Sequence, residues 1–230
     1  MITVENLPEK LMEELQPHIA FTIPLLEGIA VPQSIAVTWL IMLILVIPSM
    51  AVTRHLKTVP TGAQNYAELV VGFINGFVKG TVGQEWRVFA PFLGTLALYL
   101  SLANTISIFG FKPPTKDLNV TTALSIMSIT AVIAASIRFK GLKGWLKHFS
   151  EPLPFILPMN ILELFIRPLS LCMRLFGNIL GSFIIMELIY QVIPLALPAI
   201  LSIYFDIFDG LIQMAVFVFL TTLYIKEAIE

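Results

Sequence analysis

The stretch PMNILELFIRPLSLCMRLFGNILGSFIIMELIYQV, residues 158–192, is apolar over almost its whole length. As one helix it would be about 52 Å long, at about 1.5 Å per residue. The hydrocarbon core of a bilayer is only about 30 Å thick. The stretch must therefore tilt, bend or begin outside the lipid, and Pro168 offers a place to bend. It decides the fold class because so long an apolar helix belongs in a membrane.

The composition of the whole chain also indicates a membrane protein. Of its 230 residues, 57% are hydrophobic and 13% are charged, and the mean hydropathy is +0.88. A soluble domain carries about 25% charged residues, so we expect membrane lipid to be the main surroundings. The net charge of −1 provides no basic surface for nucleic acid, which excludes that class of partner. We expect neither a cofactor nor a metal ion.

Five regions are long and apolar enough to cross a bilayer, since a span needs about 20 such residues. They are residues 35–52, 88–111, 120–137, 158–192 and 199–225. The last two are too long to stand upright and are predicted to form a hairpin of tilted helices. Residues 64–80 are shorter, with polar ends and apolar side chains at helical spacing, which is typical of an amphipathic helix at the interface. The sequence thus predicts an all-α polytopic membrane protein with a single domain, residues 1–230.

The distribution of lysine and arginine predicts the orientation, because such residues accumulate on the cytoplasmic side. The loops after the first and third spans carry nine of them, and the opposite side carries three. With five spans, residues 1–34 form an extracytoplasmic N-terminal segment and the C-terminus faces the cytoplasm. No organelle-targeting pattern is evident, which favours a bacterial inner membrane.

Arg174 is a permanent cation in the middle of the apolar stretch. Placing an arginine at mid-bilayer costs about 2.5–3.5 kcal/mol on insertion scales, and its guanidinium cannot lose the proton. Three interpretations remain open at this point. The side chain reaches the cytoplasmic interface, it pairs with an acid inside the bundle, or it is a fixed charge on an ion path.

Two polar residues follow Arg174 on the same predicted helix. At about 100° per residue, Asn178 lies about 40° from Arg174, whereas Glu187 lies about 220° away. Glu187 and Arg174 therefore cannot be partners on this helix. No carboxylate of the chain is obviously placed to neutralise Arg174, which indicates that the anion comes from another subunit.

The last predicted span carries Asp206, Asp209 and Gln213, at positions i, i+3 and i+7. This spacing places the three side chains on one helix face. Carboxyl groups within membrane segments often mark proton or ion relays. The alternative for both aspartates, and for Glu187, is a position at the aqueous interface.

The run ILELFIRPLSLCMRLFGNILG, residues 161–181, strongly resembles subunit a of the F-type ATP synthase membrane sector. Four further stretches also resemble that family, so the resemblance covers nearly the whole chain. They are LLEGIAVPQSIAVTWLIMLIL (25–45), YAELVVGFINGFVKGTVG (66–83), PPTKDLNVTTALSI (113–126) and GLIQMAVFVFLTTLYIKEAIE (210–230).

This resemblance implies a stator subunit of a rotary motor that catalyses no reaction itself, with ATP synthesis on other subunits. Its partners would be a ring of c subunits, peripheral-stalk b subunits and the other ATP synthase subunits. Two offset half-channels would carry H⁺ or Na⁺ to and from the carboxylates of the c-ring. By match to the motif, Arg174 is the essential arginine facing the rotor, Asn178 is the motif asparagine and Gln213 is the glutamine of the last helix.

The sequence departs from the family pattern at two positions. Many members have an acid five residues after the motif asparagine, where this chain has Phe183, and Glu187 one turn later is a candidate replacement. Some members have His or Glu seven residues before the glutamine, where this chain has Asp206. The resemblance therefore supports ion-path roles for Glu187, Asp206 and Asp209 less directly than it supports the roles of the motif residues.

A self-contained secondary ion transporter is the alternative function. Many such carriers are built from internal repeats, whereas this sequence has an odd number of predicted spans and no recognisable repeat. The choice between H⁺ and Na⁺ stays open, because ion selectivity should lie mainly in the rotor.

Overall fold

The computed structural model describes residues 19–23, 29–54, 56–60, 62–148, 157–192 and 201–230. Its helices in chain order are α1 (Gln33–Thr53), α2 (Ala63–Val82), α3 (Trp86–Thr105), α4 (Leu118–His148), α5 (Leu157–Val192) and α6 (Gly210–Ile229). A π-helical turn, Ile203–Asp209, leads directly into α6. Short 3-10 segments cover Gly83–Glu85, Ile106–Phe109 and Pro114–Lys116.

Five helical segments are long and apolar enough to cross a membrane, which confirms the predicted all-α polytopic fold class. They are Gln33–Thr53, Ala63–Phe109, Leu118–Trp145, Leu157–Met186 and Ile203–Ile229. The second of these joins α2 and α3 through a 3-10 turn. The third extends beyond the predicted residues 120–137, and its added residues include a kink at Gly141.

A short antiparallel hairpin precedes the first helix and was not predicted. Strand β1 (Ile19–Ile23) pairs with strand β2 (Ile29–Pro32), with an irregularity in register between Ile19 and Phe21. Strand β2 leads straight into α1, with Pro32 as the residue before the helix. The hairpin lies within residues 1–34, and the rest of that segment falls outside the described residues, except for residues 33 and 34 at the start of α1.

Glycines with positive φ lie where α2 meets α3 and where α4 is interrupted. Gly83, with φ 82° and ψ −133°, separates α2 from α3. Gly141, with φ 74° and ψ 165°, interrupts α4. Side chains with a Cβ rarely adopt these conformations, so both junctions depend on glycine. The predicted interfacial helix, residues 64–80, corresponds to α2 as a separate helix.

The core is formed where α3, α4, α5 and α6 meet. Its fully buried side chains include Leu93, Leu100, Leu175, Phe217 and Ile225. Contacts between Asn178 and Gln213, and between Ser182 and Asp209, show that α5 runs antiparallel to the last helix. Residues 193–200, where the turn of the predicted hairpin falls, lie outside the described residues.

Candidate ion pathway

Arg174 lies near the middle of α5, at the edge of the core. Its neighbours Leu171 and Leu175 are buried, whereas Met173 is 53% exposed, and Arg174 itself is half-buried. Among the described residues, no side chain forms an ion pair or a hydrogen bond with its guanidinium. A half-buried, permanent cation thus has no counter-charge in the described part of this chain.

Asn178, one helical turn after Arg174, connects α5 to the last helix. Its Nδ2 donates to Oε1 of Gln213 at 2.5 Å. Gln213 is only 2% exposed, and its Nε2 has no hydrogen-bond partner among the described atoms. The spacing of four residues places Arg174 and Asn178 about 6 Å apart along the helix axis. The structure therefore joins Asn178 and Gln213 beside Arg174.

Asp206, Asp209 and Gln213 line one cavity of about 200 Å³, which we call the aspartate cavity. Helix α5 contributes Ser182 and Phe183 to its opposite wall. The expected common face of the three residues is present, although the local backbone is π-helical and not α-helical. Such turns, with i→i+5 hydrogen bonds, are rare and frequently occur at functional sites.

Hydroxyl groups hold both aspartate side chains. The Ser182 hydroxyl shares its one proton between the Asn178 carbonyl oxygen at 2.8 Å and Oδ2 of Asp209 at 3.3 Å. The Ser107 side chain is hydrogen-bonded to Asp206. Each carboxylate is thus fixed by a neighbouring element, and each retains further acceptor positions for a proton, a cation or water.

Sequence reasoning missed several polar residues of the cavity wall, and three of them lie close together in the chain: Asn104, Ser107 and Lys116. They come from the end of α3 and the connection that follows it. Lys116 places its ammonium 3.3 Å from the centre of the Phe183 ring. The available signal was Asn104, an amide within the predicted span 88–111. Ser107 and Lys116 lie in other segments of the chain than the aspartates, so helical spacing gives no signal that they meet.

A second cavity, of about 230 Å³, lies at the other end of α5, and we call it the Arg167 cavity. Arg167 Nη2 lies 2.7 Å from Oε1 of both Glu163 and Glu227, so it ties α5 to α6. Its guanidinium also stacks over the Tyr224 ring, 4.9 Å from the centroid. This arginine, unlike Arg174, is fully neutralised within the chain.

Arg174 lies between the two cavities and lines neither of them. Arg167 precedes it by seven residues and Ser182 follows it by eight, or about 10 and 12 Å along the helix. The two cavities also face different neighbours, because the aspartate cavity is bounded by α3 and the Arg167 cavity by α4. Two separate polar spaces therefore flank Arg174, whose guanidinium has no partner in the described part of the chain.

Comparison with known proteins identifies the family. The sequence profile described as ATP synthase A chain matches residues 35–226. The chain belongs to this family. It is 37% identical to ATP synthase subunit a of Moorella thermoacetica over 84% of this chain and 88% of that protein. It is 33% identical to the sodium-ion-specific ATP synthase subunit a of Propionigenium modestum, over 88% of this chain and 75% of that protein. It is 37% identical to ATP synthase subunit a 2 of Syntrophotalea carbinolica, over 93% and 92%.

Phe183 and Asp206, the two expected departures from the subunit a pattern, both line the aspartate cavity. Phe183 occupies the expected acid position, lines the aspartate cavity and contacts Lys116. Glu187, the candidate replacement, lies one turn later on α5, and its side chain falls outside the described part of the structure. Among the described residues, no group of three or more His, Cys, Asp or Glu side chains is arranged to hold a metal ion.

Proposed function

We propose that this chain is the stator ion-channel subunit of a rotary ATP synthase. It provides two offset half-channels that carry H⁺ or Na⁺ to and from carboxylates on a rotating c-ring, and this transport drives ATP synthesis elsewhere in the complex. The observation that carries the proposal is Arg174. It is a half-buried cation with no acid partner among the described residues, so a carboxylate on another subunit is its natural counter-charge.

The first step is ion access from the extracytoplasmic side through the aspartate cavity. Asp206 and Asp209 attract cations, and Glu187 is the further acid assigned to this path. The ion passes the Gln213–Asn178 hydrogen bond and neutralises a c-ring carboxylate. Once neutral, that carboxylate can enter lipid, because the large cost of an uncompensated charge is gone.

The second step is release to the cytoplasm after nearly a full turn of the ring. The Arg167 cavity supports this step because it lies on the other side of Arg174 along α5. Arg174 attracts the returning bare carboxylate and keeps the two paths separate by repelling free cations. Each charge that crosses provides about 2.3 kcal/mol per 100 mV of membrane potential.

The proposed placement has the N-terminal segment outside and the C-terminus in the cytoplasm of a bacterial inner membrane. Helix α2 lies in the interface, which its exposed apolar face supports: Leu69 is 67% and Phe73 is 77% exposed. The c-ring contacts α5 and α6, and peripheral-stalk b subunits are the further partners. Helix α1, whose span is only 11% buried, leaves ample surface for such contacts and for lipid.

The coupling ion is H⁺ or Na⁺. A relative that covers 88% of this chain is described as sodium ion specific, so both ions belong in the test. ATP synthesis by the purified complex in liposomes, under an imposed pH gradient or an imposed Na⁺ gradient, distinguishes them. The same assay also separates a stator from a self-contained carrier, which would transport ions without a c-ring.

The decisive variant is Arg174→Ala, made in the complete ATP synthase. We expect ATP synthesis driven by an ion gradient to be lost, because the rotor carboxylate no longer meets a counter-charge. The matched control is Arg138→Ala, which removes an exposed arginine of α4 and should retain synthesis. Copurification with the c-ring verifies assembly of both variants. Normal ion-driven synthesis by an assembled Arg174→Ala complex would refute the proposed function.

A further inference from the structure

Asn104 is a buried amide that joins three separate elements. It lies at the end of α3 and is only 4% exposed. Its Nδ2 donates to the carbonyl oxygen of Gly210 at 3.0 Å, and its Oδ1 accepts from Thr115 Oγ1 at 3.0 Å. Thr115, in the connection between α3 and α4, is fully buried. Both ends of the amide are therefore used, and neither bond lies within one helix.

Gly210 makes this contact possible because it has no side chain. A Cβ at this position would lie 3.1 Å from the Asn104 Cβ and 3.4 Å from the Asn104 carbonyl oxygen. Contacts at 3.1 Å are tighter than ordinary van der Waals packing, so a Cβ at this position would require its neighbours at Asn104 to shift by a few tenths of an ångström. The hydrogen bond and the close approach thus fix the same point of the chain.

That point is the end of the π-helical turn Ile203–Asp209. A π-helical turn is rare as an isolated conformation and persists where surrounding contacts enforce it. Asp209 directly precedes Gly210, Asp206 lies four residues before it, and both aspartates line the aspartate cavity. A displacement of Gly210 would therefore move both carboxyl groups relative to the cavity wall.

We propose that Asn104, supported by Thr115, is a positioning residue for ion uptake. It holds the π-helical turn at Gly210 so that Asp206 and Asp209 both face the aspartate cavity. Asn104 borders the cavity itself, but its amide is engaged with Gly210 and Thr115, so we assign its effect on the ion to the aspartates that it positions. This inference rests on the proposed function, since it assumes that the aspartate cavity is the path from the extracytoplasmic side.

The test uses the complete ATP synthase in liposomes and measures the ATP synthesis rate against the extracytoplasmic concentration of the coupling ion. In Asn104→Leu, we expect the half-saturating concentration to rise about tenfold, the order expected when one partner of a buried hydrogen bond is removed. Dependence on the cytoplasmic ion concentration should stay unchanged. Thr115→Val should shift the profile in the same direction, while Thr115→Ser, which keeps the hydroxyl, should restore it.

The matched control is Thr105→Val, since Thr105 donates only to the Ser101 carbonyl of its own helix. It should leave the profile unchanged. Asn104 would be merely structural if its variants lowered the yield of assembled complex without moving the profile, and this outcome overturns the inference. If the Asn104→Leu complex fails to assemble, the profiles of Thr115→Val and Thr115→Ser test the inference in the same way. The proposed function is judged separately, because it fails only if Arg174→Ala retains synthesis.

Discussion

Buried polar side chains in this molecule include two kinds, which differ in whether the hydrogen-bond partner lies on the same helix. Thr221 and Thr222 are fully buried, yet each donates to a carbonyl oxygen of its own helix, at 2.9 and 2.6 Å. Asn104 and Gln213 are also buried but bond to other helices. The hydroxyl groups of the two threonines need no other element as a hydrogen-bond partner. Asn104 and Gln213 instead connect separate helices, and both line the aspartate cavity.

The candidate site was predictable from the sequence where charge alone identified the residue. Arg174, Asp206 and Asp209 stand out because a charge in an apolar segment is costly whatever the packing. The roles of Asn104 and Ser107 depend on which helices touch, and one sequence does not contain that information. Hydrogen-bonding capacity is visible in a sequence, whereas the partner of each amide and hydroxyl is decided by tertiary contacts.

Asp206 and Asp209 should both contribute to cation uptake, since they line the same cavity. We expect Asp206→Asn and Asp209→Asn each to raise the half-saturating extracytoplasmic ion concentration about tenfold, as for loss of one charged hydrogen-bonding partner. The effects should not be additive in the double variant, because both residues act in one network. ATP synthesis in liposomes measures this. Glu85→Gln, at an exposed acid of the α2–α3 junction, is the control. Unchanged profiles in both single variants would exclude the aspartates from the path.

The long helices were predictable because their signal is hydropathy summed over many residues, which no single substitution removes. The π-helical turn Ile203–Asp209 and the β-hairpin were missed because both depend on contacts with other elements. Strand β1 has five residues and β2 has four, and an isolated two-stranded hairpin is at best marginally stable in water. Local sequence preference is therefore too weak to indicate either feature.

The pairing of α5 with α6 should depend on Arg167, whose side chain is 18% exposed and contacts acids on both helices. Replacing it in Arg167→Leu leaves Glu163 and Glu227 without a counter-charge. Because both glutamates are about half exposed, we expect a loss of only about 1 kcal/mol, seen as a lower thermal unfolding midpoint of the assembled complex. Lys226→Ala is the control on α6, since the Lys226–Glu230 pair is exposed and 3.6 Å apart. An equal effect of both variants would show that Arg167 does not join the helices.

The molecule as a whole divides its charges unequally between its two ends, and this inequality underlies the proposed orientation. Nine lysines and arginines lie on the side that we assign to the cytoplasm, in the connections and the adjoining helix ends, against three on the other side. The aspartate cavity includes Lys116 of the connection between α3 and α4, and the Arg167 cavity includes Trp145 beyond Gly141 of α4. The two cavities therefore lie towards opposite ends of the bundle. Under the proposed function, orientation determines which cavity takes up ions during synthesis.

Single cysteines test this orientation directly. In a Cys172→Ser background, which removes the buried native thiol, Gln84→Cys and Asn119→Cys place thiols at exposed positions in the α2–α3 junction and at the start of α4. A membrane-impermeant maleimide should label position 119 in right-side-out vesicles and position 84 only in inverted ones. Position 84 follows an odd number of spans and is therefore expected in the cytoplasm, whereas position 119 follows an even number and is expected outside. Labelling of both thiols from the same side would contradict the five-span topology. Labelling with the sides exchanged would instead make the Arg167 cavity the site of ion uptake during synthesis, and the aspartate variants would then alter the response to cytoplasmic ion concentration.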